Sequence, residues 1–125
     1  LCDWSSDVCS SDLVSAFVCT HLLVRPWLDS SLGLDPRGAW TRRLLDEACR
    51  PNPDRIACRA ARFRVDEDGR ALARVATWNG SGDLAHLMGT DGIVRLSEGD
   101  ASVPAGSEVE TLEWRPTRAT EVKER

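Results

Sequence analysis

Two side chains in this 125-residue sequence combine a chemically useful type with a useful setting, Arg59 and Ser81. Arg59 lies in a β-like run over residues 56–65. Alternation there puts it on one face with Ala57, Ala61, Phe63 and Val65, while Ile56, Cys58, Ala60, Arg62 and Arg64 take the other. A guanidinium on the more apolar face has two accounts. It either snorkels to a sheet end and pairs with Asp54 or Asp83, or it is a preorganised anion binder. The second follows because a planar, permanently charged fork suits phosphate or carboxylate. Ser81 sits in Asn79-Gly80-Ser81-Gly82, a breaker cluster that precedes a short apolar turn beginning at Leu84. As a nucleophile it lacks the G-x-S-x-G setting, and only His21 and His86 could serve as its base. As a cap, its hydroxyl or the Asp83 carboxylate would satisfy an orphan amide. A third account has Ser81 and the backbone amides after it forming an anion site at the helix start.

Other candidates carry less. Cys19 and His21 supply two ligands at a spacing awkward for one helix face, so no metal site is assigned. Asp83 and Asp91 are lone carboxylates on turns, which read as caps. No catalytic residue is assigned.

The elements that must position Arg59 and Ser81 are mainly strands. Asp68-Gly69 separates two β-like runs and predicts a hairpin across residues 55–78. Leu84, Leu87 and Met88 share one face of a helical turn, expected to plug one end of the fold. Gly89 and Gly92 end that turn, and residues 93–96 read as a strand. Pro104 and Gly106 occupy i+1 and i+3 of an expected type I turn, followed by a last strand over 107–114. Residues 40–45 fit a helix or a strand on local pattern. Before them, Val14, Phe17, Val18, Leu22, Arg25 and Leu28 keep helical spacing, widened by Leu23, Val24 and Trp27. Pro26 predicts a kink or break near Leu22 to Arg25, and Gly33 is a natural end. So apolar a helix is expected to have been built to pack on more than this sequence supplies.

Composition narrows the classes. Residues 1–13 carry neither a basic region nor an apolar one, so they are no signal peptide. Over CDWSSDVCSSDL they resemble a translated sequencing adapter, and an acidic Ser/Asp tail of this kind predicts disorder. Setting it aside removes Asp3, Asp7 and Asp12 and takes the formal charge from −4 to −1. Near-neutrality without a basic stripe argues against nucleic acid. No apolar run approaches the ~20 residues that span a bilayer. Cys19, Cys49 and Cys58 remain, an odd number without paired spacing, which predicts reduced thiols in a cytoplasm.

GSGDLAHL, then DGIVRL, then PAGSEVE resemble the C-terminal β-domain of the molybdopterin molybdenumtransferases, bacterial relatives of the gephyrin E domain. VSAFVCTHLLVRPWL resembles the last helix of the preceding domain in that family. The resemblance favours a strand at 40–45. It implies a fold that is mainly β with one N-terminal helix. Residues 14–33 would be the terminal helix of a truncated α/β, molybdopterin-binding domain. Residues 34–114 would be a small antiparallel β-barrel or sandwich, and 115–125 a charged tail. It also implies an activity for the parent protein: inserting molybdate into adenylylated molybdopterin, with Mg²⁺, as a homodimer. Arg59 falls where the family has an arginine in this domain, and Gly80-Ser81 matches its glycine–serine pair. These three are the expected substrate-binding residues. The family's catalytic and metal-binding carboxylates belong upstream, so this stretch alone is expected to bind no cofactor and to be inactive. The competing reading is a stand-alone β-barrel that grips a partner or an anionic ligand.

Overall fold

The structure is a computed structural model that describes residues 13–36, 40–77 and 84–114. The expectations for the N-terminal stretch, for Gly80, Ser81 and Asp83, and for the charged tail fall outside these residues. Five strands close into a barrel: β1 (Trp40–Leu45), β2 (Ala57–Val65), β3 (Ala71–Val75), β4 (Gly92–Leu96) and β5 (Glu108–Glu113). Their order around the wall is β1-β3-β2-β4-β5, returning to β1. Four pairings are antiparallel. The fifth, β1 with β3, is parallel through Leu44↔Leu72 and Leu45↔Ala73, so the barrel is mixed. Closure leaves no free sheet edge to be protected.

Each wall strand buries both faces to some degree. Leu45, Ala61, Ala73, Val94, Leu96 and Val109 point inward and form the barrel interior. Ala60, Ile93 and Leu112 point outward into a second cluster with Val14, Leu87 and Trp114. That outer cluster is roofed by a helix, α1, over residues 13–31. Val14, Val18 and Leu22 supply its contacts with the wall, each worth roughly 1.5–3 kcal/mol when fully buried. Leu23, Trp27 and Leu32 stay exposed, so only part of the apolar stripe has a partner here.

Pro26 does not break α1. The helix instead loosens into a π-helical turn at Thr20–Val24, where the Arg25 amide donates to the Thr20 carbonyl, and then continues α-helical through Arg25–Ser31. A π-turn absorbs the proline by rerouting the bonds of the turn before it. The end follows expectation. Gly33 has φ +76°, its amide donates to Ser30 and the Leu34 amide to Asp29, the two bonds of a Schellman cap.

The hairpin forms as expected, with Gly69 at φ +79°. Asp66 organises it: Oδ1 accepts from the amides of Asp68 at 3.0 Å and Arg70 at 2.7 Å. Two expectations need correction. The second short helix, α2 (Leu84–Met88), does not plug the barrel. Its Leu87 joins the outer cluster, and Met88 is 81% exposed. The Pro104 turn is also shifted by one residue. The Ser107 amide donates to the Pro104 carbonyl, so Gly106 sits at i+2 with φ +82°, which a type II turn demands and a type I turn does not.

Ion pairs lace the outer wall. The Arg64 fork grips Asp46 through Nη2 at 2.6 Å and Nε at 3.2 Å, with Arg74 Nε 3.5 Å away. The Arg64 hydrogen bond, opposed by desolvation and aided by both positive charges, holds the Asp46 carboxyl below its usual range. A lowered folded-state pKa stabilises above the ordinary carboxylate range, and that contribution is lost as pH falls through it. Asp46→Asn should therefore flatten the decline of the thermal midpoint below about pH 4. An unchanged acid limb in a pH series of melting curves would show that the pair contributes nothing.

Candidate functional site

The interior alternation of β2 carries Arg59 inward, between Ala57 and Ala61 and opposite Val94 of β4. Its Nη1 lies 3.7 Å from Cys49 Sγ. Cys49 is held in turn by a two-bond bridge to Val103, with both N–H···O distances 2.9 Å. Among the described residues no carboxylate lies within 4.0 Å of Arg59. Of the two sequence candidates for its partner, Asp54 makes no ion pair with it, and Asp83 lies outside the described residues. The contrast with the other strand arginines is sharp. Arg42, Arg43, Arg64, Arg74 and Arg95 each have a carboxylate partner. Arg62 has none among the described residues either, but it stands exposed on the outer wall. Arg59 is therefore the half-buried arginine whose charge the described protein leaves uncompensated, an arrangement suited to an anion.

A separate concavity lies elsewhere on the barrel. About four residues further along β2, roughly 13 Å at strand rise, a cavity of about 640 Å³ opens at the opposite mouth. Phe17, Phe63, Leu87, Met88 and Trp114 give it apolar walls. Its cations are already engaged: Arg43 pairs with Glu113 and stacks 4.3 Å from the Phe63 ring centre, and Arg64 belongs to Asp46. Asp91 is engaged too, accepting the Phe63 amide of β2 at 2.8 Å. That mouth offers shape and aromatic surface, whereas the uncompensated charge is at the Arg59 end. His21, weighed as a metal ligand, stacks 4.6 Å from Phe17 and 4.7 Å from Trp114. Cys19, Cys49 and Cys58 are free thiols, and burial pushes the Cys58 thiol up.

Sequence reasoning missed Cys49 as the neighbour of Arg59 and missed the Arg43–Glu113 pair. Neither leaves a local signal. Arg43 and Glu113 are 70 positions apart. The β1–β5 register sets Arg43 against Val109, four residues short of Glu113, and the Arg43 side chain reaches it by running back along β1 past Thr41, whose Oγ1 accepts from Nη1 at 3.2 Å.

Residues 43–114 match the family model described as the MoeA C-terminal region (domain IV). The chain belongs to that family. A molybdopterin biosynthesis MoeA protein from Pyrococcus horikoshii OT3 superposes with a TM-score of 0.62 at 23% identity, over 81% of this chain and 25% of its own. A molybdenum cofactor biosynthesis protein from Pyrococcus furiosus does so with a TM-score of 0.62 at 22% identity, over 82% of this chain and 36% of its own. At these identities the likeness to MoeA structures is one of fold. The chain spans a quarter of the first protein's length and about a third of the second's. No curated protein matches it. The closed, mixed five-strand barrel is thus that of MoeA domain IV, with α1 preceding the matched residues.

Proposed function

We propose that this chain is the C-terminal part of a molybdenumtransferase that inserts molybdate into adenylylated molybdopterin. The observation that carries the reading is the match of residues 43–114 to MoeA domain IV, with Arg59 held inward beside Cys49 as its chemical complement. In this reading Arg59, Gly80 and Ser81 bind an oxyanion, either substrate phosphate or molybdate. Mg²⁺ and the catalytic carboxylates belong to the upstream part of a homodimeric parent, where the protein works in the cytoplasm. The exposed Leu23, Trp27 and Leu32 face of α1 supports a larger neighbour, because contiguous apolar surface of this kind marks an interaction site.

The test is a molybdenum-insertion assay on the parent sequence joined to this chain. Adenylylated molybdopterin, molybdate and Mg²⁺ should yield molybdenum cofactor and free the adenylate. The 125-residue chain alone should yield none. A folded parent that leaves the adenylate intact, while the barrel still binds an oxyanion, would leave a binding module without catalysis.

A further inference from the structure

We infer that Cys49 is the positioning residue for Arg59, a neutral acceptor that aims the guanidinium without cancelling its charge. The inference deepens the oxyanion reading of Arg59 and rests on it. Three observations carry it. First, Cys49 is rigid: it is 9% exposed, belongs to the interior cluster, and is pinned by both backbone bonds of its bridge to Val103. Second, its thiol geometry is divided. Sγ lies 3.9 Å from the Arg50 carbonyl, which can take the S–H, and 3.7 Å from Arg59 Nη1, which can use a sulfur lone pair. Third, the strand arginines Arg42, Arg43, Arg64, Arg74 and Arg95 take a carboxylate partner, whereas Arg59 takes a thiol.

The difference has a chemical meaning. A carboxylate would orient Arg59 better, since charge-assisted pairs are short and strong. It would also neutralise the cation, so an incoming oxyanion would have to displace it. Sulfur is a weak acceptor. It occupies one of five N–H donors, restricts the fork to one direction, and leaves the full positive charge for a ligand.

The experiment uses nitrogen-edited NMR of the arginine-labelled parent protein carrying this chain, following the Arg59 Nε–Hε resonance before and during titration with sodium molybdate. In the wild type the unliganded protein should give a resolved, slowly exchanging Arg59 signal that shifts saturably with molybdate. Cys49→Ser keeps an acceptor and should keep the signal and an affinity within about twofold. Cys49→Val removes the acceptor at similar volume, and should lose the resolved signal and weaken binding about five- to tenfold. Cys49→Asp should keep the signal but weaken molybdate more than tenfold, by neutralising the cation. Because a buried aspartate can unfold the barrel, the Ser and Val pair decides the matter, with thermal melts confirming that both fold. If Arg59→Ala binds molybdate as well as wild type, the oxyanion reading fails, whatever Cys49 does. If Arg59→Ala abolishes binding while Cys49→Val retains both the signal and the affinity, the oxyanion reading stands and the role of Cys49 is overturned.

Discussion

Arg59→Ala in an otherwise intact parent enzyme should lower kcat/KM for molybdenum insertion by about ten- to a hundredfold. A charge-assisted contact is worth roughly 1.5–3 kcal/mol, and tenfold in rate corresponds to about 1.4 kcal/mol. The magnitude rests on where the side chain is. Arg59 lies half-buried on the inward face of β2, has no carboxylate partner among the described residues, and hydrogen-bonds the Cys49 thiol there. Removing it costs the protein little internal pairing, so the loss should be functional more than structural. Arg59→Lys should recover only part, because a point charge cannot reproduce the planar fork. Ser81→Ala should cost less, since a neutral hydroxyl contributes about 1 kcal/mol. The check is steady-state kinetics on all three variants, with circular dichroism confirming the fold. An Arg59→Ala enzyme that folds normally and keeps full activity would put the oxyanion elsewhere and leave the barrel a packing role.

The largest effect on stability should come from Gly92→Ala. Gly92 opens β4 opposite Ala61 of β2 and Glu113 of β5. A Cβ there would stand 2.1 Å from the Leu112 carbonyl oxygen and 2.7 and 2.9 Å from two ring carbons of Phe63. The carbonyl is backbone in a closed wall, so it cannot yield without disturbing the β4–β5 pairing. Phe63 could turn, but the Arg43 guanidinium rests on its ring. Overpacking of this severity costs roughly 3 kcal/mol, which for a domain of this size lowers the thermal midpoint by roughly 12–24 °C. Gly99→Ala is the control. No atom lies within 4 Å of the Cβ position at Gly99, so that variant should melt within about 0.5 kcal/mol of wild type. Equal midpoints for the two variants would show that the barrel tolerates expansion at β4.

Much of this protein was determined by local sequence. Asp68-Gly69 between β-like runs fixed a hairpin, because a left-handed glycine and an aspartate that accepts two amides favour one reversal whatever surrounds them. Gly33 closed α1 for the same local reason. Alternation over 57–65 was enough to turn Arg59 toward the apolar side, since period two is a property of the strand itself. Tertiary structure decided the rest. Trp40 and Leu44 look like core positions of β1, yet Trp40 packs outward beneath α1 and Arg43 turns inward beside Phe63. Around Trp40, Ala60, Ile93 and Leu112 both sides of the wall are covered, one by the barrel interior and one by α1, so polarity along those strands cannot name the inside. The glycine at 92 reads as a turn residue, but what it provides is the absence of a Cβ where two strands and a ring converge. The thiol beside Arg59 comes from another segment, fixed by the Cys49–Val103 bridge across 54 positions. No local pattern signals that contact, and only the tertiary structure sets the sulfur 3.7 Å from the Arg59 guanidinium.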